Sequence, residues 1–396
     1  MAPPAGVKRR SSVFIRKGSI YGGPMKQVDA LTQDYEIIRQ LGTGRFSTIH
    51  LAEQKERKIR IALKIFPKAS TKQGDFLREY NFSYFLSPHP NIIDTYDGNF
   101  VTADAYFFVQ EFCAGASLRD VIETSAANSS TAAPSASTST ASSTVTVGGG
   151  TAAAGGTLPS CAGVGLPEST VKSILRQVLS ALEFMHSEGL AHRNLTPKNI
   201  LLFDRKNLDA KVKITDFGLT RKEGTMVKHV ENTSSFHAPE LCETLLKEAY
   251  AVNSSVDVWA VGVIAFYALR GRLPWSKASI MCKPFWEWEE WLKRNKSQLP
   301  AKWIRFTEKG LKFFKKTLHH RPKDRATVKE LNKLLKDKWT REAKGSLRLI
   351  PFLLTSKYLL QSATDSTSFF VRTTALLRRS RRPSRCSFLH LNVYQL

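Results

Sequence analysis

Alternation of apolar and polar residues predicts a group of short β-strands in the first third of the chain. The alternation occurs between turn-forming residues in segments 36–42, 48–53 and 60–66, and in two more runs between Asn91 and Val109. One segment among them, residues 74–87, instead spaces its aromatic and aliphatic residues as a helix does. Five strands with one inserted helix predict a small β-rich lobe.

The later part of the chain is mainly helical in pattern. Residues 168–189 carry apolar side chains along one helical face, with Pro167 before the first turn and Gly189 at the end. Two short strand-like runs follow at 200–204 and 212–217, and helical spacing then continues to about Trp339. The predicted fold class is therefore α+β, with a small β-rich N-lobe followed by a larger, mainly α C-lobe.

Three segments have compositions that do not favour a packed core. Residues 1–33 are polar and basic, residues 124–165 are mostly Ser, Thr, Ala and Gly without a charged residue, and residues 341–396 contain ten Lys/Arg against two acids. Such segments bury too little apolar surface to offset their ordering entropy. We therefore expect a disordered basic arm, a flexible insertion and a disordered basic tail. The alternatives are a glycosylated stalk for the insertion and a localisation signal, hence nuclear entry, for the tail.

The net charge of +25 raises the question of nucleic-acid binding. The basic residues do not form a stripe with interleaved aromatic residues, and zinc-finger spacing does not occur, so no nucleic-acid partner is expected. The five cysteines are scattered and form neither a disulfide framework nor a metal motif. Neither a signal peptide nor a membrane span is recognised, which favours a cytoplasmic protein. The sequence leaves the oligomeric state open.

A series of short motifs carries the candidate chemistry. Gly42 and Gly44 form a Gly-x-Gly turn between two strands, Lys64 lies on a later strand, and Glu79 lies in the predicted helix. Each of these is ordinary alone, as a turn, an edge lysine or an exposed helix acid. They are followed in order by HRNLTPKN (192–199), DFG (216–218), APE (238–240), DVWAVG (257–262) and Arg325. With this order and spacing, the chain resembles the eukaryotic protein kinase family from about Asp34 to Trp339.

The resemblance implies a two-lobed protein-kinase fold, with a kinase domain at 34–340 that divides into an N-lobe (34–112) and a C-lobe (113–340). The stretches DFLREY, SPHPNII and ITDFGLTRKEGT resemble the SH3-binding-domain kinase subfamily of serine/threonine kinases. Protein substrates or scaffold partners are implied. An SH3 domain is a weaker candidate partner, because Ala-Pro-Pro at residues 2–4 is the only polyproline-like stretch.

The resemblance also implies ATP and Mg²⁺ as cofactors and assigns roles by matching position. Gly42 and Gly44 would cover the phosphates, and Lys64 and Glu79 would form the activating ion pair. Asp216 and Asn199 would hold the metal ions. The adenine would lie among Leu41, Ile49, Ala62 and Leu201, and would bond to the main chain of Glu111 and Cys113. Gln110 would be the gatekeeper, and Glu240 would pair with Arg325.

Two positions depart from the family pattern H-R-D-L-K-P-E-N. Asn194 stands where the catalytic acid is expected, and Thr196 stands where the lysine that reaches the transferred phosphate is expected. Thr233 matches a threonine that bridges these two residues in serine/threonine kinases. Lys198 stands at a position whose side chain usually points elsewhere, so the sequence does not assign it the missing role.

Three interpretations of these departures remain open. The first is a serine/threonine protein kinase whose activity is weak, because asparagine can accept a hydrogen bond but cannot accept the proton. The second is a pseudokinase that binds nucleotide and acts as a scaffold or allosteric partner. The third is an anomaly in the sequence of an otherwise active kinase. The retained Lys64, Glu79, Asn199 and Asp216 favour nucleotide binding in all three.

Overall fold

The computed structural model describes residues 24–44, 46–130, 165–204, 206–228, 233–243, 248–294 and 298–341, without the side chains of 128–130. Most of the predicted arm, the predicted insertion from residue 131 to 164, and the predicted tail after residue 341 lie outside the described residues. The expectations for these segments therefore stay predictions, as does nuclear entry through the tail.

The strands and helices of the described residues follow the order expected from the sequence. The strands are β1 (Lys26–Gln27), β2 (Tyr35–Thr43), β3 (Thr48–Gln54), β4 (Ile59–Pro67), β5 (Thr95–Val101), β6 (Ala105–Glu111), β7 (Ala116–Ser117), β8 (Leu190–Ala191), β9 (Ile200–Leu202), β10 (Val212–Ile214), β11 (Arg221–Lys222), β12 (Met226–Lys228) and β13 (Ala249–Ala251). The α-helices are α1 (Gln73–Leu86), α2 (Leu118–Ser130), α3 (Glu168–Ser187), α4 (Pro239–Glu243), α5 (Ser255–Arg270), α6 (Lys283–Lys293), α7 (Glu308–Thr317) and α8 (Val328–Leu334). Short 3₁₀ turns occur at Leu31–Gln33, Pro197–Asn199, Ala301–Trp303 and Pro322–Asp324.

The N-terminal part is a six-stranded sheet in the order β1-β5-β6-β4-β3-β2, and α1 packs against it. The C-terminal part is mainly helical, so the predicted α+β class is confirmed. Two boundaries need correction. Residues 24–33 are not disordered, because β1 pairs in parallel with β5 and main-chain pairing does not require apolar side chains. Residues 124–130 are helical, because α2 buries Leu118 and Ile122 and continues through Ser130.

Helix α5 forms the centre of the C-terminal core. Its residues are apolar on every side and nearly all are buried, which is typical of a helix surrounded by other elements. Trp259 of α5 packs on Trp275 and Phe285, with ring centroids 5.7 and 6.1 Å away. The buried Asp257 carboxylate accepts hydrogen bonds from the main-chain N–H groups of His192 and Arg193, both at 2.8 Å. The core helix therefore fixes the loop that carries residues 192–199.

Glu168, in the first turn of α3, forms hydrogen bonds with the C-terminal end of the kinase-like region. Its carboxylate accepts from the main-chain N–H groups of Trp339 and Thr340, both at 2.8 Å, from the Thr340 hydroxyl at 2.6 Å, and from Lys172. Partial burial acts to raise the pKa of Glu168, but the hydrogen bonds from Lys172, Thr340 and Trp339 outweigh it and the pKa is lowered. The folded state therefore favours the charged carboxylate.

We expect Glu168→Gln to reduce the free energy of unfolding at pH 7 by about 1.5–3 kcal/mol, the usual size for hydrogen bonds to a charged group. Because the folded pKa lies below the unfolded one, this contribution is present above about pH 4.3 and disappears as the pH falls through the folded pKa. Urea denaturation of both proteins from pH 7 to pH 3 measures the difference. The exposed Glu188→Gln is the control, and a difference independent of pH would contradict this role of the charge.

Candidate active site

Three charged residues from separate elements meet at one point. Lys64 of β4 donates to Glu79 of α1 and, at 2.9 Å, to the Oδ1 atom of Asp216, which follows β10. Lys64 and Glu79 are only 4% and 7% exposed, whereas Asp216 is partly open to solvent. A buried lysine is tolerated here because two carboxylates compensate its charge. The structure therefore joins the sheet, α1 and the DFG segment through one ammonium group.

The pKa shifts follow from this arrangement. Burial acts to lower the pKa of Lys64, but the carboxylates of Asp216 and Glu79 outweigh it and raise the pKa. Burial raises the pKa of Glu79 despite the neighbouring Lys64. Burial also acts to raise the pKa of Asp216, but the Lys64 charge dominates and lowers it. Asp216 is therefore held as an anion, as a metal ligand must be.

The main chain at the DFG segment shows the close packing that this arrangement needs. Asp216 has φ of 71°, in the left-handed region that non-glycine residues rarely adopt. A Cβ atom on Gly218 would lie 2.7 Å from the Oε2 atom of Glu79, so a larger residue would displace the glutamate. The glycine of this motif therefore leaves room for the Lys64–Glu79 pair.

Asn194 is oriented by the metal-ligand candidates. Its Nδ2 atom donates to Asp216 Oδ2 at 2.8 Å. Asn199 Nδ2 donates to the main-chain carbonyl of Asn194 at 2.8 Å and lies 3.3 Å from the same Asp216 oxygen. Because a carboxylate can only accept, the amide nitrogen of Asn194 must face Asp216. An aspartate at this position would face Asp216 with a like charge.

The Thr233 bridge that the resemblance implies is not among the contacts of the described residues. In this part of the chain no hydrogen bond joins the Thr233 side chain to Thr196 or to Asn194, whose amide nitrogen donates to Asp216. Such a bridge needs charged partners, and both positions are neutral here. The role of Thr233 therefore stays a prediction.

Lys198 occupies a position that the sequence did not assign. Its side chain is exposed, and its Nζ atom donates to the main-chain carbonyl of Thr43 at 3.0 Å. Thr43 ends β2 at the start of the glycine-rich turn, where Gly44 N–H donates to Ser47 at 2.7 Å. The lysine therefore connects the catalytic loop to the turn above it. One signal was present in the sequence, since a lysine replaces the glutamate of the family pattern.

The remaining nucleotide-site candidates lie on neighbouring strands and the segment that joins the two lobes. Gly42, Ile49 and Lys64 are cross-strand partners in one row of β2, β3 and β4. Ala62 pairs with Gln110, whose side chain donates to Thr95 at 3.0 Å. Leu41 precedes Gly42 on β2, and Leu201 lies on β9. Glu111 is the last residue of β6, and the Cys113 thiol donates to the Leu202 carbonyl. Their contacts with an adenine ring stay predictions.

An ion cluster at the joining segment was missed by sequence reasoning. Lys213, 1% exposed, donates to Asp94 at 2.8 Å and to the Glu111 carboxylate. Asp94 N–H donates to Glu111 at 2.7 Å. The cluster fixes the side chain of Glu111, whose main chain is the expected adenine contact. A lysine within the otherwise apolar run VKI was the only sign of it.

Comparison with known proteins agrees with this geometry. The family model described as "Protein kinase domain" matches residues 35–145 and 153–340. The chain therefore belongs to the protein kinase family, and the expected two-lobed kinase class is confirmed.

Its relatives identify the branch. The chain is 50% identical over 329 residues to the Caenorhabditis elegans protein named "Putative serine/threonine-protein kinase C01C4.3", covering 83% of this chain and 72% of that protein. It is 37% identical over 305 residues to serine/threonine-protein kinase SBK1 of Danio rerio, covering 77% and 69% respectively. It is 36% identical over 312 residues to SBK1 of Mus musculus, covering 79% and 65%. The expected similarity to the SH3-binding kinase group is thereby confirmed. None of the described helices is both long and apolar enough to cross a membrane.

Proposed function

We propose that this protein transfers the γ-phosphoryl group of ATP slowly to serine or threonine residues of protein substrates. The observation that supports this most is the Lys64 ammonium, which bonds to both Glu79 and Asp216. In protein kinases, the ion pair between such a lysine and glutamate, and the contact of the DFG aspartate with Mg²⁺, must both be in place for phosphoryl transfer. The cost of burying such a charge favours a functional role over a structural one.

The residues present fit ATP and Mg²⁺. Magnesium prefers oxygen ligands and is commonly bound by one or two carboxylates together with substrate phosphates. Asp216 supplies an anionic carboxylate, and Asn199 uses its amide nitrogen for Asn194, which leaves its Oδ1 atom for a metal. Bound ATP would supply the transferable phosphoryl group, and Mg²⁺ would supply positive charge that offsets the charge of the phosphates. Lys64 and the amides near Gly42 and Gly44 would hold the phosphates.

Asn194 limits the reaction without excluding it. Its carbonyl oxygen is left to accept the hydrogen bond of a substrate hydroxyl, because its amide nitrogen donates to Asp216. The asparagine cannot take up the proton, and general-base assistance is typically worth about 10²–10⁴ in rate. Phosphoryl transfer depends mainly on positioning and charge stabilisation. A low rate is therefore the expected consequence.

A second candidate function is that of a nucleotide-binding scaffold without useful transfer. The hydrogen bond from Asn194 to Asp216 favours it, because this bond stabilises the DFG segment and does not require catalysis. The neutral Thr196 in place of a lysine favours it as well. An SH3-domain partner also stays a prediction. The Ala-Pro-Pro stretch of this chain that would bind such a partner lies outside the described residues.

Phosphoryl transfer by the full-length protein tests the proposal. We expect slow MgATP-dependent transfer to the protein itself or to a generic basic protein substrate. Asp216→Ala is expected to reduce transfer to the background level, because it removes a carboxylate that bonds to Lys64 and would hold the metal. The exposed Asp204→Ala is the matched control and should transfer as the wild type does. Nucleotide binding by the wild type without transfer would favour the scaffold function instead.

A further inference from the structure

Lys198 is an exposed cation beneath the glycine-rich turn. Its ammonium lies 3.0 Å from the carbonyl of Thr43, which is 155 residues away in sequence. Lys198 is in the 3₁₀ turn Pro197–Asn199, directly beside the metal-ligand candidate Asn199. In kinases the glycine-rich turn covers the phosphates of the nucleotide. The lysine therefore lies on the phosphate side of the cleft.

We propose that Lys198 binds the terminal phosphate of a nucleoside triphosphate and supplies the cation that Thr196 lacks. This inference deepens the proposed function, since it rests on nucleotide binding at the same site. It assigns the phosphate contact of the catalytic loop to position 198 of this chain instead of position 196.

The hydrogen-bond inventory leaves this lysine available for a ligand. An ammonium group has three donors, and the Thr43 carbonyl takes one of them. No carboxylate lies within ion-pair distance of Lys198 among the residues that the structure describes. Two donors and a full charge therefore remain for phosphate oxygens. The Thr43 carbonyl is neutral and lies at the edge of the cleft, so the same ammonium group can also bind an anion.

The electrostatics of the cleft agree with this placement. Burial acts to raise the pKa of Asp216, and the charge of Lys198 is among those that lower it, after Lys64 and His192. A charge that acts on the metal-ligand carboxylate also acts on phosphates bound beside it. The placement itself is set by the hydrogen bond to the Thr43 carbonyl, which directs the ammonium toward the glycine-rich turn.

The amino-acid pattern of the loop points in the same direction. Compared with H-R-D-L-K-P-E-N, the loop loses a lysine at Thr196 and gains one at Lys198, where the pattern has glutamate. The first change alone would remove a cation from the phosphate region, and the second returns one while removing an acid. Thr196 itself carries only a neutral hydroxyl, which cannot supply the lost charge.

The alternative role of Lys198 is purely structural, as a link between the catalytic loop and the glycine-rich turn. Loss of a structural link would weaken the binding of every ligand of the cleft equally, whereas loss of a phosphate contact would weaken binding according to the number of phosphates. Binding of adenosine, ADP and a non-hydrolysable ATP analogue therefore separates the two roles without depending on turnover. Calorimetric titration of the full-length protein in the presence of Mg²⁺ gives the three dissociation constants.

We expect Lys198→Ala to raise the Kd of the ATP analogue about tenfold, the lower end for a charge-assisted contact because the side chain is exposed. The Kd of ADP should change less than about twofold, and that of adenosine should not change. Lys206→Ala, an exposed lysine outside the cleft, should leave all three unchanged. The double variant Lys198→Ala/Thr196→Lys should restore binding of the triphosphate, because it returns the cation to the family position.

Each result decides the inference. Equal weakening of all three ligands, no weakening of the ATP analogue, or failure of the double variant to restore binding would overturn it. Absence of any nucleotide binding by the wild type would overturn both this inference and the proposed function. Selective loss of triphosphate binding would support the inference even if no transfer is detected, in which case only the transferase proposal fails.

Discussion

Asn194→Asp is expected to increase the rate of MgATP-dependent phosphoryl transfer by about 10²–10⁴, the range typical of general-base assistance. The substitution returns a proton acceptor to the catalytic loop while keeping nearly the same side-chain shape. The surrounding framework is already assembled, because Lys64, Glu79 and Asp216 are joined and the loop is held by Asp257. A single-residue change can therefore act on chemistry without a need to rebuild the site.

The same substitution should make the site dependent on divalent cations. The Asn194 amide lies 2.8 Å from Asp216 Oδ2, so an aspartate there would set two carboxylates against each other. We expect Asn194→Asp to be less thermally stable than the wild type in EDTA and to gain more stability from Mg²⁺. Melting curves with and without Mg²⁺ measure this effect independently of activity.

Initial rates of substrate phosphorylation by the full-length wild type and Asn194→Asp test the catalytic effect. Asn194→Gln is the matched control, since it is also uncharged and should not increase the rate. A rate for Asn194→Asp equal to that of the wild type would show that the base is not the limiting feature. The addition of Thr196→Lys to Asn194→Asp would then distinguish a limiting cation from a chain that is not built for transfer.

Arg325→Leu is expected to reduce the free energy of unfolding by about 3 kcal/mol, the lower end of the range for breaking a buried ion pair. The Arg325 side chain has no solvent exposure and binds Glu240 with two hydrogen bonds, of 2.7 and 2.6 Å. It also donates to the main-chain carbonyls of His319 and His320, and its guanidinium lies 5.0 Å from the Trp259 ring centroid. The substitution would remove these hydrogen bonds and the cation beside the Trp259 ring.

The lower end of the range applies because the Glu240 side chain keeps 28% exposure and can be partly hydrated. Urea denaturation of the full-length protein measures the loss, with Arg321→Leu as the control. Arg321 also binds an acid, Asp324, but its side chain is 63% exposed, so its loss should cost less than about 1 kcal/mol. Equal effects of the two substitutions would contradict the importance of burial at Arg325.

The fold could be predicted largely because its signals are local. The alternation in 60–66 and the helical spacing in 168–189 correspond to β4 and α3, and both depend only on side chains within one element. The two boundary errors arose where local signals are weak. The strand Lys26–Gln27 forms through main-chain pairing with Phe100 and Val101, which side-chain polarity does not reveal.

The candidate site divides in the same way. The order of motifs was sufficient to predict the family and to nominate Lys64, Glu79 and Asp216, because these residues lie in recognisable local patterns. Their ion pairing, however, joins residues that are 152 positions apart, and only the folded chain shows it. The composition of the catalytic loop showed that an acid and a lysine are replaced, but not which groups the replacements contact.

Tertiary structure decided the contacts on which the chemistry depends. It turned the Asn194 amide toward Asp216 and placed Lys198 against the carbonyl of Thr43. Hydrogen bonds and charges act over a few ångströms in space, so their partners are set by how distant segments pack and not by their order in the chain. Residue types and spacing therefore defined the family of this protein, while packing of the two lobes defined what its altered catalytic loop contacts.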